Sequence, residues 1–349
     1  MTDKVIAKCY DKDIVSHITP EYFNDLYYVE NVGSNKYTFK LFNPQNTTSS
    51  YLTVICSHFN CLGHYKHFRI AGSIRKWWFG NMSVDDFTKS DYEAAIKYLF
   101  ALLEIHICEA RHFILSVIEV GLNINFRIPF PEIASRIVGY KNSCYTRISY
   151  AGTGICYETK TKSKFFRFYN KIEEIAKDFK NIRLKSFEEA KFLEDYEGEN
   201  IQRIEFNLEK PSEIQKELGF NNIEDSIIHF DAFYSYFWKQ MQHIQFSDVF
   251  IKMPAIESPI NNYKDFQKHM AKIGIKISGV VYVYELIKQI KNGKARNRAK
   301  KFIKSDSGEI NIYDKSAFLI AAKSQMLKSM HKSGCLFLVR KLFLNKSAA

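Results

Sequence analysis

The sequence predicts an α+β fold: a central, mostly antiparallel sheet flanked by helices, with a mainly helical, basic C-terminal region. Three observations carry that expectation. Short runs of period-two alternation recur over the first 210 residues. Helical patterns interrupt them without the regular strand–helix–strand spacing of a parallel sheet. Beyond Pro211 helical patterns dominate to the C-terminus.

Alternation appears in "SYLTVICS" (50–57) and again in "KHFRIAGSIRKWWFG" (66–80), punctuated by Gly72 and Gly80. The run "SVDDFTKSDYEAAIKYLFALLEIHICEARH" (83–112) predicts one long amphipathic helix, with acids at its start where the helix dipole favours them. "FILSVIEVGLNINFRI" (113–128) returns to period two and is stopped by the prolines of "PFP" (129–131). "PEIASRIVGY" (131–140) reads as a short helix, and "CYTRISYAGTGICYETK" (144–160) as a strand pair turning at "AGTG". "KFFRFYNK" (164–171) is a further strand. A charged helix over 171–194 and the strand "NIQRIEFNLEK" (200–210) follow, and Pro211 closes that strand.

A chain of 349 residues with 46% hydrophobic and 15% aromatic side chains can bury a full core, which excludes a mostly disordered protein. Its seven cysteines are scattered, with no CxxC pair, which suits a reducing cytoplasm and gives no zinc signal. The N-terminus lacks the layout of a signal peptide, and no apolar run approaches the roughly 18 residues of a spanning helix. The expectation is a soluble cytoplasmic protein without a membrane partner.

Charge divides the chain. Residues 251–349 hold 20 Lys+Arg against 6 Asp+Glu, whereas residues 1–250 hold 30 against 32. The peak is "KNGKARNRAKKFIK" (291–304), which includes Arg296, Arg298 and Lys301 and contains no acid. A neutral body over 1–250 and a basic helical region over 251–349 are therefore expected, and a polyanion is the expected partner of the latter. The alternative is a solvated lysine-rich face.

The candidate chemistry lies on three strands. In "KSKFFRFYNKIEEI", alternation sends Phe166 and Phe168 to one face and Phe165, Arg167 and Tyr169 to the other, with Lys171 next in line. Glu119 counts on the same face as Phe113, Leu115 and Val117, where a carboxylate needs a pairing cation or a metal. In "QRIEFNLE", Arg203, Glu205 and Asn207 face away from Ile204, Phe206 and Leu208, a polar side that fits water or equally a ligand cleft, so Glu205→Gln is expected to cost little stability. Two carboxylates, a tyrosine and flanking cations suit metal-assisted phosphoryl transfer: oxygen ligands hold Mg²⁺ or Mn²⁺, and the phenol oxygen attacks phosphorus. Asp85, Asp86 and Glu173 are candidates for further ligands. A second tyrosine–x–lysine triplet stands at Tyr313.

Taken in order, "GSIRKWWFGN" (72–81), "IEVGLNI" (118–124), "FYNKIEE" (168–174) and "RIEFNL" (203–208) resemble the phage and plasmid replication proteins of the filamentous-phage gene-two type, which are rolling-circle initiators. The likeness spans about residues 50 to 210. It implies that Tyr169 is the nucleophile and Lys171 its companion, that Glu119 and Glu205 are the two acidic positions, and that Arg203 is the motif arginine. Lys76 falls on the lysine after the glycine-containing strand, with Asn81 and Asn123 on the polar positions, and these three are expected as DNA contacts together with Arg203 and Arg167. Many relatives carry Asp where Glu119 and Asn170 stand here; glutamate can still ligate a hard cation. The resemblance further implies origin DNA, duplex and single-stranded, as partner, in a bacterial host whose helicase is a further candidate partner. It leaves the oligomeric state open.

Other motifs narrow the choice. No two histidines are separated by one residue, so the His-hydrophobic-His motif of another nicking class is absent. His64 and His67 read as surface or DNA-contact residues, and Trp77 and Trp78 as core or sheet-edge aromatics that could also stack bases. Two functions remain: a nicking–closing enzyme working through a 5′-phosphotyrosine, and a non-catalytic, sequence-specific origin-binding replication protein. An apolar face under Glu119, which a pure binder does not need, favours the first.

Overall fold

A computed structural model describes residues 2–17, 29–31, 36–46, 50–59, 64–126, 128–141, 145–150, 154–160, 164–182, 186–246, 290, 292–305 and 315–335. Its chain order opens with β1 (Thr2–Cys9), α1 (Lys12–His17), β2 (Val29–Asn31), β3 (Lys36–Phe42), β4 (Tyr51–Phe59) and β5 (His64–Ser73). Then come α2 (Ile74–Phe79), α3 (Lys89–Leu102), a 3-10 turn (Ile107–His112), β6 (Phe113–Asn125), α4 (Phe130–Ala134) and β7 (Ile137–Tyr140). The strands β8 (Tyr145–Tyr150), β9 (Gly154–Thr159) and β10 (Phe165–Asn170) lead into α5 (Lys171–Ile182), α6 (Ser186–Asp195) and β11 (Ile201–Leu208). Helices α7 (Pro211–Leu218), α8 (Ile223–Ile228) and α9 (Asp231–Met241), strand β12 (Ile244–Phe246) and helices α10 (Gly293–Ser305) and α11 (Lys315–Lys332) complete it.

The architecture is α+β, as the sequence predicts. Among the described residues ten strands form one antiparallel sheet in the order β2-β3-β4-β5-β1-β6-β11-β10-β9-β8, and β12 pairs separately with β7. One face of the large sheet carries the core. Phe166 and Phe168 of β10 and Ile204, Phe206 and Leu208 of β11 point into it, fully buried, as alternation requires. Phe166 stacks on Phe206 at 5.4 Å, and both pack against Tyr140. Each such phenylalanine contributes about 2–3 kcal/mol of burial free energy. Helices α7, α9 and α11 pack against β6 on this side.

Several expected boundaries shift for identifiable reasons. The strand pattern of 66–80 ends at Ser73, whose hydroxyl accepts from Lys76 N and starts α2. The helix expected over 83–112 is confined to 89–102, started by a Thr88–Asp91 capping box and followed by Glu104 at φ 52°. "PEIASRIVGY" supplies α4 and then the strand β7.

The core also takes in a C-terminal helix. Phe318 of α11 stacks on Phe126 at 5.2 Å, and Ala322, Met326 and Met330 are fully buried in the same cluster. Helix α11, which lies in the stretch 251–349, thus packs on the body.

Two irregularities decide what faces the opposite side. Ile6 pairs with Val117 and Ala7 with Leu115, so Ser116 is an extra residue on β6, and its hydroxyl donates to Ile6 O at 3.1 Å. The bulge reverses the phase of β6. Phe113 and Leu115 enter the core before it, and Ile118, Val120, Leu122 and Ile124 enter after it. Glu119 therefore does not share a face with Phe113 and Leu115, as simple counting required; it shares one with Val117, Gly121 and Asn123. The second irregularity, between Thr2 and Val5, gives β1 the extra residue, and both Asp3 and Lys4 line a cleft on that opposite side.

Candidate active site

A cleft of about 390 Å³ opens on the face opposite the core, flanked by α2 and α5. Tyr169, Arg167, Glu205 and Glu119 come to it from three neighbouring strands: Arg167 pairs with Glu205, Tyr169 with Arg203, and Glu205 with Gly121. Gly154 is the other cross-strand neighbour of Tyr169 and has no side chain to cover the phenol.

The Tyr169 hydroxyl donates to Glu205 Oε1 at 2.9 Å. Arg203 Nε donates to the same oxygen at 2.7 Å. Burial, and then the carboxylates of Glu205 and Glu174, push the phenol pKa well above 10, so Tyr169 holds its proton and needs a base to lose it. Glu205 is the group in place to accept that proton.

Arg203 is fully buried and stands between three carboxylates: Glu205, Asp86 (Nη1 to Oδ1, 3.0 Å) and Asp3 (Nη2 to Oδ2, 3.0 Å). It also donates to Asn123 Oδ1 at 3.0 Å, while Asn123 N donates to Asp86 Oδ2 at 2.8 Å. Asp3 accepts from Ser73 Oγ and pairs with buried Arg75 at 3.3 Å. Burial alone would raise Asp3, but Arg75 and Arg203 hold its carboxyl well below the usual range. Buried charges of this kind survive only because each is matched. Arg203 and Asn123, expected as DNA contacts, are thus part of a buried frame that fixes Glu205, because neither reaches the surface.

Glu119 is buried at the cleft wall, with Lys4 at 3.8 Å and Arg167 at 3.9 Å. Burial first, then the neighbouring charges of Glu205 and Asp3, raise its pKa to about 8. Such a carboxylate gains from a cation. Among the described residues no group of three or more His, Cys, Asp or Glu side chains is arranged to hold a metal ion. Asp3 is taken up by arginines, and Glu205 Oε1 by Arg203 and Tyr169. Glu119, with Lys4 and Arg167 no closer than 3.8 Å, and the second oxygen of Glu205 are the carboxylate oxygens that would hold Mg²⁺ or Mn²⁺ if one bound here, a sparse protein set of the kind Mg²⁺ accepts.

Lys171 begins α5 fully buried, its Nζ 6.0 Å from the Tyr169 ring centroid and bonded to Glu174. Burial, and then Arg75, lower its pKa to about 8. Burial would raise Glu174, but Lys171 and Lys76 hold it down to about 2; Lys76 lies 3.2 Å away at the cleft wall. Lys171 is therefore a supporting charge behind the phenol, and Lys76 and Arg167 are the expected cations that reach the cleft. Asn81 does not line it; Asn81 Oδ1 accepts from Ser50 Oγ at 2.7 Å. Trp77 is core, its indole N–H donating to Leu41 O at 3.0 Å. Glu173 accepts from Asn170 and Asp85 from Ser83, so of the three further carboxylates only Asp86 joins the frame. Asp3, Lys4 and Arg75 were missed, although "KVIAKC" alternates well enough to mark β1.

Helix α10 carries Arg296 and Arg298, and its backbone includes Lys301. Arg296 donates twice to Ile290 O (3.0 and 2.7 Å) and is half-buried, while Arg298 is exposed. Tyr313 lies outside the described residues. The five described cysteines, Cys9, Cys56, Cys108, Cys156 and Cys335, are free thiols. Among the described residues no helix is long and apolar enough to cross a membrane. A scan against protein-family models finds no match, and a search of curated proteins finds no relative.

Proposed function

We propose that the chain is a DNA nicking–closing enzyme that initiates rolling-circle replication, acting at a phage or plasmid origin. The hydrogen bond from Tyr169 to Glu205 inside a cation-lined cleft carries the reading, and the motif resemblance supplies the substrate. Glu205 takes the phenol proton as Tyr169 Oη attacks a phosphodiester phosphorus. The bond from phosphorus to the 3′ oxygen breaks, and water of the open cleft protonates that oxygen. The products are a 5′-phosphotyrosine and a free 3′-OH primer. Closure reverses the step: a 3′-OH gives its proton to water of the cleft and attacks the phosphotyrosine, the bond from phosphorus to Tyr169 Oη breaks, and Glu205 returns the proton to the phenolate. Arg167, Lys4 and Lys76 offset charge on the phosphate. Mg²⁺ or Mn²⁺, when bound at Glu119 and Glu205, would polarise the phosphate.

The test uses supercoiled DNA of the replicon that encodes the chain, incubated with protein and Mg²⁺, then denatured. Wild type should yield nicked circles with protein linked to a 5′ end, and peptide mapping should place the adduct on Tyr169. Tyr169→Phe should yield neither. A Tyr169→Phe protein that nicks and links as well as wild type removes Tyr169 as the nucleophile.

A further inference from the structure

Two large aromatic side chains lie exposed side by side on the sheet, just outside the cleft. Phe42 ends β3 and Tyr51 begins β4; they are cross-strand partners, 38% and 42% exposed, with ring centroids 5.6 Å apart. Lys40 places its ammonium 5.2 Å from the Tyr51 ring centroid. Their neighbours Leu41 and Leu52 are buried in the core, so alternation puts Phe42, Tyr51 and Lys40 on the face that carries Tyr169. Scattered apolar side chains on a surface are ordinary; two adjacent rings with a cation above one of them form a flat, sticky patch.

The patch is tied to the cleft. Continuing the β4–β5 pairing from Thr53 opposite Ala71 sets Tyr51 beside Ser73, and Ser73 pairs with Lys4. Tyr51 therefore stands two strand spacings, about 10 Å, from a cation of the cleft. The loop after Phe42 is pinned to α2: Asn43 donates to Trp77 O at 3.1 Å, and Asn46 to Trp77 O and Trp78 O at 3.3 Å. The same helix carries Lys76 into the cleft.

We propose that Phe42 and Tyr51, with Lys40, form a stacking platform for bases of single-stranded DNA that enters the cleft from the β3–β4 side. Aromatic faces take any base, and cations along the way, from Lys40 to Lys4 and Lys76, follow the phosphates. This rests on the nucleic-acid reading of the cleft but not on the tyrosine chemistry. It also gives a place to Asn81, which holds Ser50 next to Tyr51.

The experiment compares full-length wild type with Phe42→Ala/Tyr51→Ala, first confirmed to melt at the wild-type temperature. Folding should persist, because both rings lie outside the core; Phe42→Leu/Tyr51→Leu keeps apolar bulk without a ring and serves if the alanine pair does not fold. The probe is an oligodeoxythymidylate long enough to span platform and cleft, with duplex of equal length as control. Oligonucleotide binding should weaken by about tenfold or more per ring lost, while duplex binding stays within twofold. An oligonucleotide carrying 5-iododeoxyuridine should photo-cross-link to Phe42 or Tyr51. The proposal is overturned if either ring variant binds the oligonucleotide as tightly as wild type, if wild type binds none, or if the substitution only alters self-association in sedimentation. Failure of the Tyr169 adduct with ring-dependent binding intact sinks the nicking reading and leaves the platform standing; an intact adduct with ring-independent binding does the reverse.

Discussion

Tyr169 and Glu205 share a hydrogen bond of 2.9 Å across adjacent strands, and Arg203 holds the accepting oxygen from the other side at 2.7 Å. The phenol thus faces a carboxylate whose orientation is set by a buried guanidinium, itself fixed by Asp3 and Asp86. Glu205→Gln keeps the shape but removes the base. Nicking should fall by roughly 10² or more, while DNA binding persists. The open look of the Glu205 strand face in the sequence argued for little loss of stability. The structure reverses that expectation, since Glu205 is buried against Arg203 and its neutralisation leaves a buried charge less well matched. Unfolding in urea should show a loss of about 3 kcal/mol. Unchanged nicking in this variant would remove Glu205 as the base.

Gly121 explains why "IEVGLNI" needs its glycine. A Cβ there would lie 2.8 Å from Ile204 O, 2.9 Å from Arg203 Nη2 and 2.9 Å from Glu205 Cγ. The carbonyl belongs to the sheet and cannot retreat, so the two side chains must move. Gly121→Ala should therefore displace Glu205 from Tyr169 and reduce the nicking rate at least tenfold. Gly198→Ala, where nothing lies within 4 Å, is the control for a site remote from the cleft, although its φ of 76° makes it strained. Single-turnover cleavage by both variants, beside thermal melting, separates a displaced base from general destabilisation.

Much of this site was legible because period two is rigid: Tyr169, Arg167, Glu205 and Arg203 were assigned to the polar faces of β10 and β11, where the structure has them. The assignment for Glu119 failed at one residue. The bulge at Ser116 is a local departure from pairing, and no alternation pattern records which strand carries an extra residue. Asp3 was missed for a related reason, because its partners Arg75 and Arg203 lie 72 and 200 positions away and meet it only once β1 is threaded between β5 and β6. Charge composition likewise does not show how α11 packs, because its apolar positions Phe318, Ala322, Met326 and Met330 are buried among the lysines around them.

Glu119 gives a pH dependence with a definite sign. Folding raises its pKa from an ordinary 4.5 to about 8, so over that window the folded chain holds a proton that the unfolded chain has released. Its contribution to stability is full below about pH 4.5 and is lost as pH rises through 8. Urea unfolding of cation-free protein should show this slope, and Glu119→Gln should flatten it. A divalent cation favours the ionised form, so Mn²⁺ affinity should increase with pH up to about 8. EDTA should abolish nicking and spare DNA binding; cleavage that continues in EDTA would sink the cation role outright.

Helix α10 lies in the most basic stretch of the chain. Seven cations stand between Lys291 and Lys304 without an acid, and an isolated cluster of that density repels itself unless a polyanion screens it. Duplex binding should therefore weaken steeply with salt, by a log–log slope of about −0.9 for each phosphate contact. Arg296 is a poor residue with which to test this, because its two bonds to Ile290 O tie the chain before α10 to the helix, and its removal would disturb the backbone as well as the charge. Arg298 is exposed, and Lys301 lies three positions along the same helix. Arg298→Ala/Lys301→Ala should weaken duplex binding and make the salt slope shallower by about 2. Cleavage of a short single-stranded origin oligonucleotide should continue at the wild-type rate, because Tyr169, Glu205 and Arg203 belong to the sheet and not to α10. A slope identical to wild type would show that α10 does not meet the phosphates. Loss of single-strand cleavage together with duplex binding would instead put these cations at the reaction centre, against the separation of grip from chemistry proposed for this chain.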